Sequence, residues 1–575
     1  MQLTRRDILE AGLVAATAAA GGFWVEDGNA STISRYQDVF ADLDRFVEQY
    51  MRDMNSPGMT LVLADRDGLQ RVATYGFGDL YRQRKLSADE LFQIGSITKS
   101  FLAIVLLQLR EEGKLDLNRP IVEYLPWFRI QSGFAPITTH HLLTHSSGLP
   151  GAPEVFPSDP AHRHLAAYAP GERFHYNNMA YSLLGYLAWT LDGRELPEIF
   201  RERIFEPLGM SQSAPAIDFD MRNRMARSYL PFLSDRPYPR HAPLCEAPSI
   251  VTTSGAGCIA ATARDMGAYV QMIANRGRGP HRNLISAESF ELFSKRHIKA
   301  EEFGPTASYG YGIAVDELDG NALLRHTGGM VSFMSAMQID ITAGVGGFAS
   351  VNAQQGYRPN PVVVYALQLM RARRDGKKPP AAPAPDAEIE VENAADYAGR
   401  FAGQQGQMEF VHEGTRLFLQ RAGKKIALER LAEPDHFHVK EPSFARFPLV
   451  FGRKKPEQAQ LGKAAAGPVV EVSWGDAWYT NSAYDGPRTF EVPAAWRSYV
   501  GHYRNEDPWT GSVRVVLLKG RLTLDGVTPL EADGELFRLR DDPANTEWIR
   551  FGEVVNGKCM RLKYSGVDLW RVASD

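Results

Sequence analysis

The chain has 575 residues, enough for three or four domains. A formal net charge of −4, with 44% apolar and 23% charged residues, excludes wholesale disorder and offers no basic face for nucleic acid. Three cysteines, Cys245, Cys258 and Cys559, are too few for a disulfide framework or a cysteine-based zinc cluster.

The first thirty residues read as a leader. Arg5-Arg6 precede a small apolar run from Ala11 to Ala20, far short of the about 20 apolar residues a bilayer span needs. The pattern resembles a twin-arginine export signal, cleaved after Ala20 or, with Gly28-Asn29-Ala30 as small-x-small, after Ala30. A frayed amphipathic helix is the bland alternative. The expected address is periplasmic or secreted, with no integral membrane segment after processing.

Next, 36–52 carries helical apolar spacing (Val39, Phe40, Leu43, Phe46, Val47, Tyr50). Strand-like runs 59–64 and 69–75 are joined by Asp65-Arg66-Asp67-Gly68, a hairpin signal. A second β group is predicted at 311–316, 322–326, 335–341 and 347–351, followed by a helix over 361–374. The long segment between the two groups reads as mostly helical. The fold class is therefore α+β: one antiparallel sheet built from both ends, flanked by helices, with a helical subdomain inserted.

A Pro/Ala linker spans 375–388. Beyond it an internal repeat appears. Tyr397-Ala-Gly399-Arg-Phe401 returns as Tyr499-Val-Gly501-His-Tyr503, Arg416-Leu417-Phe-Leu419 as Arg521-Leu522-Thr-Leu524, and Phe451-Gly452 as Phe551-Gly552. Each copy alternates in short strands, as a small up-and-down antiparallel β-barrel would. The expected domains are 1–30 leader, 31–374 catalytic, 375–388 linker, 389–485 first barrel and 486–575 second barrel.

The chemistry-bearing stretch is Gly95-Ser96-Ile97-Thr98-Lys99, which leads into the apolar run Phe101 to Leu109. A helix apolar nearly all round is buried, and it places Ser96 at its start with Lys99 one turn on. Burial disfavours a charged lysine, so Lys99 suits the role of base for the Ser96 hydroxyl. A helix cap plus a surface lysine is the bland alternative. Two further clusters add weight. Tyr176-Asn177-Asn178 sits on a loop before a helical run, and His326-Thr327-Gly328-Gly329 ends a predicted strand. Alone, Tyr176 reads as a half-buried aromatic and His326 as a structural histidine. His140, His141 and His145 have no carboxylate or cysteine at ligand spacing, so no metal is expected. The Pro-rich insertion 230–247 reads equally as cleft lining or as inert loop.

Together, Ser96-x-x-Lys99, Tyr176-x-Asn178 and His326-Thr327-Gly328 resemble the three ordered motifs of the penicillin-recognising serine hydrolases. The Tyr-x-Asn form is similar to class C β-lactamases, D-alanyl-D-alanine carboxypeptidases, D-aminopeptidases and related esterases. The flanking runs 113–126, 137–150 and 254–257 agree with it, and the tandem barrels resemble lipocalin-like domains. The resemblance implies Ser96 as nucleophile, Lys99 as its base and Tyr176 as proton shuttle. It implies that Asn178, His326, Thr327, Gly328 and Gly329 bind substrate, the Ser96 and Gly329 amides forming the oxyanion hole, and that no cofactor is used. The expected activity is a serine peptidase or amidase acting on small peptides, some with D-residues. An esterase or weak β-lactamase on the same site is one alternative, and a non-catalytic ligand-binding sensor is another. The partners are a small peptide, amide or ester substrate and, as an open option, a second copy of the chain. His326 stands where lactamases carry lysine. With an ordinary histidine pKa of about 6.5, it is expected to grip a substrate carboxylate only as the pH falls toward 6.

Overall fold

The computed structural model describes residues 25–27, 34–151, 155–156, 163–233, 235–237, 241–354, 358–384, 389–454, 467–506, 511–539 and 545–572. The predicted leader, apart from 25–27, lies outside them. The chain divides into two compact units: residues up to 232 with 243–385, and 386–575 with the ten-residue segment 233–242.

In the first unit, helix α1 (Gln37–Asp53) buries every apolar position of its predicted stripe. Strands β1 (Gly58–Asp65) and β2 (Gly68–Asp79) form the expected hairpin. Its turn is closed by the Asp65 carboxylate, which accepts from the amides of Asp67 at 3.0 Å and Gly68 at 3.2 Å. Helix α2 (Thr98–Glu111) is buried from Thr98 to Leu109, as a helix apolar all round must be. Helices α3 (Asn178–Asp192) and α4 (Ala263–Ala274) follow. The predicted helical segment is less helical than expected. Between 112 and 177 only Ile121–Tyr124 and Thr139–Leu143 are α-helical among the described residues. Prolines at 120, 126, 136 and 150 keep that stretch irregular.

Strands β3 (Ala314–Leu318), β4 (Asn321–Gly329), β5 (Met334–Asp340) and β6 (Val345–Val351) complete the sheet, and helix α5 (Asn360–Arg374) returns across it. The ten-stranded sheet runs β2-β1-β6-β5-β4-β3 through its centre, with short strands at both edges, so the early and late strands of this unit meet at β1 and β6. Its strands are covered on both faces. On β1, Leu61 and Leu63 face α1 and α5, whereas Val62 and Ala64 face the core containing α2 and α4. Alternation therefore fails as a sequence signal there, and the strand reads as a continuous apolar run.

The second unit holds two closed antiparallel barrels of eight strands each. The three repeated sequence landmarks fall on equivalent strands. Phe401 and Tyr503 lie on the first strand, Leu417 and Leu522 on the third, and Phe451 and Phe551 on the sixth. First and last strands close each ring through Ala402↔Thr480 and Tyr503↔Arg571. Each barrel interior is filled by its own apolar cluster around these residues. The insertion is split: Tyr229–Pro231 pairs with Leu244–Glu246 in the first unit, while Asp235 belongs to the second and accepts from Arg514 at 2.8 Å.

Candidate active site

The segment ahead of α2 is forced into its position by glycine. Gly95 has φ +55°, and a Cβ there would lie 2.8 Å from the Gly329 amide nitrogen. A Cβ on Gly328 would lie 1.8 Å from the Ile94 carbonyl oxygen, which no side chain tolerates. β4 therefore runs three residues past its predicted end at His326. The two glycines let its end press against the turn Gly95–Ile97 while it pairs with β5 through Gly328↔Ser335 and Gly329↔Met334.

Ser96 is half-buried on that turn, and Lys99 is fully buried beneath it. The lysine Nζ lies 2.9 Å from Ser96 Oγ, 2.8 Å from Asn178 Oδ1 and 2.8 Å from the Ala256 carbonyl oxygen. Its pKa is pushed well below the ordinary lysine value by burial, and no carboxylate among the described residues neutralises it. A neutral amine has two protons and one lone pair. The Asn178 and Ala256 oxygens can only accept, so they take the protons, and the lone pair is left facing the Ser96 hydroxyl.

Tyr176 completes this side. Lys99 Nζ lies 4.9 Å from the centre of its ring, and its buried phenol has no hydrogen-bond partner among the described residues. Burial raises the phenol pKa above its ordinary value, while the facing Ser96 hydroxyl and the charge of Arg358 pull it down. Asn177, between Tyr176 and Asn178, is the N-cap of α3. Its side chain accepts from the Ala180 amide at 2.8 Å and donates to the carbonyls of Leu149 and Pro150. This cap aims Tyr176 and Asn178 into the cleft from opposite sides of one buried residue.

The sequence reading considered His145 only as a rejected metal ligand, and the structure gives it a supporting place. It is fully buried, its Nδ1 accepts from the Asn177 amide at 3.0 Å, and its ring lies 4.4 Å from that of Tyr176. Its run, Thr144-His145-Ser146-Ser147-Gly148, was visible in the sequence, but nothing there indicated which backbone it meets.

His326 is where an expectation is corrected. The ring is 1% exposed, its Nδ1–H donates to the Thr327 carbonyl at 2.6 Å, and its Nε2 accepts from the Tyr309 hydroxyl at 2.8 Å. Those two bonds fix the neutral tautomer. Burial first, and then the cationic neighbours, lower its pKa to about 3. His326 therefore does not gain charge near pH 6, and it has no ring nitrogen left over for a carboxylate. The pleat of β4 puts Thr327 and Gly329 on the more open face and His326 and Gly328 on the buried one.

Acid lability follows from this chemistry. His326, at about 3, and His141 and His297, at about 4, are lowered chiefly by burial, as is His145. The unfolded chain binds these protons below about pH 6.5 while the folded chain does not, so stability falls as pH drops from there toward 4. Denaturant midpoints measured at pH 8, 6.5, 5.5 and 4.5 should be level over the first two and decline over the last two. For His326 alone the loss approaches about 1.4 kcal/mol per pH unit. A flat profile from 6.5 to 4.5 would contradict the buried neutral histidines.

A depression of about 550 Å³ continues from the residues beside Ala256. Its walls include Ser254, Gly255, Tyr186, Trp189 and Leu196, and Ser182 Oγ lies 2.7 Å from Ser254 Oγ. Its surface is mixed, with the rings of Tyr186 and Trp189 beside the polar residues Ser182, Glu195, Thr252 and Ser254.

Such a fold, with a buried lysine under a half-exposed serine, defines a serine hydrolase of the S-x-x-K kind. The family model described as Beta-lactamase matches residues 43–369, and the chain belongs to that family. Penicillin-binding protein 4 of Amycolatopsis lactamdurans is 26% identical over 369 residues, covering 61% of this chain and 94% of that protein. Esterase EstB of Burkholderia gladioli is 31% identical over 196 residues, 30% of this chain and 50% of the esterase. The D-alanyl-D-alanine-carboxypeptidase/endopeptidase AmpH of Escherichia coli strain K12 is 29% identical over 191 residues, 30% of this chain and 48% of AmpH. The chain thus spans about half the length of these last two relatives. The octameric penicillin-binding protein homologue from Pyrococcus abyssi shares the fold, with a TM-score of 0.53 and 24% identity over 72% of this chain and 96% of that one.

Proposed function

We propose that this chain is an exported serine peptidase or amidase that cleaves small peptides, including D-residue-containing ones, through an acyl-enzyme on Ser96. The observation that supports it most is the fully buried Lys99 amine, its pKa pushed well below the ordinary lysine value and its Nζ 2.9 Å from Ser96 Oγ. Ser96 Oγ attacks the substrate carbonyl carbon and its proton passes to Lys99. The carbonyl oxygen becomes an oxyanion facing the Ser96 and Gly329 amides, whose donors strengthen as charge develops. The proton then travels by way of Tyr176 to the leaving nitrogen, the C–N bond breaks, and the amine departs. Water attacks the ester by the reverse route and frees Ser96. Tyr176 suits the shuttle because its phenol has no other partner among the described residues and faces Ser96. Amides need this protonated leaving group and esters scarcely do, so an esterase is the second reading, favoured by the similarity to EstB.

The reading is tested by steady-state kinetics on matched substrates: D- and L-alanyl peptide amides, the corresponding esters, and penicillins. Peptide bonds should turn over with a product burst, and Tyr176→Phe should lower amide cleavage by about 10²-fold or more and ester cleavage far less. Turnover of esters alone would select the second reading. No turnover of any, together with no burst, would overturn both.

A further inference from the structure

The depression beside Ala256 runs along α3, away from the three motifs. Its near end holds Ser182, one turn beyond Asn178, and its far end holds Trp189. From Asn178 to Trp189 is about 16 Å along the helix, the span of about five extended peptide residues. The facing wall is fixed. Thr252 exchanges backbone hydrogen bonds with Ile217 at 2.9 and 3.1 Å, and a Cβ on Gly255 would lie 2.8 Å from the Tyr181 carbonyl oxygen of α3. The outer part is aromatic. Trp189 is 45% exposed and Phe156 59%. The Tyr186 ring lies 5.1 Å from that of Phe156, nearly perpendicular to it, and 6.3 Å from that of Trp189. Trp127 packs on Phe156 and Tyr186 at 5.0 and 5.8 Å. Four large rings gathered on an exposed surface mark a binding site, and their faces attract a cation. Glu195 is the one charged side chain lining this depression among the described residues. Its exposed carboxylate has no hydrogen bond or ion pair among them, and the adjacent Arg194 is committed to Asp192 and Glu202. An apolar side chain would use the rings and leave Glu195 unmatched, and an anion would meet negative potential from both. A cation is favoured by both.

We propose that this depression binds a lysine- or arginine-like side chain of the substrate, held between the aromatic faces and the Glu195 carboxylate, up to about five residues from the bond opened at Ser96. The inference rests on the acyl-enzyme reading for its meaning and selects longer, cationic peptides within it, but its test requires no turnover.

The experiment is calorimetric titration of full-length Ser96→Ala protein with capped nonapeptides of alanine and serine, all-L and all-D, whose central residue is lysine, norleucine or glutamate. In one stereochemical series the lysine peptide should bind at least about tenfold more tightly than its norleucine counterpart, which has the same stem without the charge, and the glutamate peptide should bind most weakly. Adding Glu195→Gln should reduce the lysine preference several-fold and leave norleucine binding within about twofold. Adding Trp189→Leu should weaken lysine binding as well, since the ring face is lost while the carboxylate stays. Equal binding of lysine and norleucine peptides, binding of none of them, or a preference that survives both substitutions together would overturn the proposal. Failure of the acyl-enzyme reading would appear separately, as absent turnover by the wild type.

Discussion

Replacing Ser96 by alanine is expected to lower kcat by roughly 10⁴-fold or more, with the melting temperature nearly unchanged. Only a hydroxyl is lost, from a half-buried position on a short turn that alanine also adopts. Lys99→Ala should fall almost as far, and the double variant no further, because base and nucleophile act as one unit. The stability of Lys99→Ala carries a second signature. Burial holds the native amine's pKa well below that of the unfolded lysine, so the unfolded chain binds the extra proton and wild-type stability rises with pH toward the unfolded pKa of about 10.4. Removing the amine abolishes that rise, so denaturation curves at pH 7 and pH 9.5 should draw together in the variant. Appreciable turnover by folded Ser96→Ala protein would sink the mechanism.

Gly328→Ala is expected to have the next largest effect. Its methyl group would sit 1.8 Å from the Ile94 carbonyl oxygen, so either β4 or the turn carrying Ser96 must move. Forced overpacking of this kind costs about 1–3 kcal/mol. The catalytic loss should be larger than that suggests, about 10²-fold or more in kcat/KM, because the amides of Ser96 and Gly329 are set by this same contact. Gly133→Ala is the control: nothing lies within 4 Å of its added Cβ, and it should change neither stability nor rate measurably. A Gly328→Ala enzyme with wild-type kcat/KM would show that the close approach of β4 to the Ser96 turn is not what orders the site.

Much of this was legible in the sequence because it rests on local rules. The burial of α2 follows from a nearly continuous apolar run, the β1–β2 hairpin from Asp-Arg-Asp-Gly, and the tandem barrels from three landmarks repeated in order. What remained hidden depends on contacts between distant segments. The extension of β4 to Gly329 is decided by the backbone of Ile94, more than 200 residues earlier, so its glycines read as a strand end. The neutrality of His326 comes first from its burial, and its tautomer from Tyr309 and the Thr327 carbonyl, none of which a spacing rule could supply. His145 and Arg358 are invisible for the same reason. Each is an isolated residue whose meaning comes from what folds against it: the Asn177 amide for His145, and for Arg358 the Tyr176 and His326 side chains on which its charge acts.

The most direct measurement is mass spectrometry of the acid-quenched protein after brief mixing with a slowly hydrolysed acyl ester or peptide, followed by digestion and mapping of the adduct. The account predicts a mass gain equal to the acyl group on the peptide holding Ser96, absent from Ser96→Ala and formed far more slowly by Lys99→Ala. Turnover without any adduct, or an adduct on another residue that survives in Ser96→Ala, would contradict it.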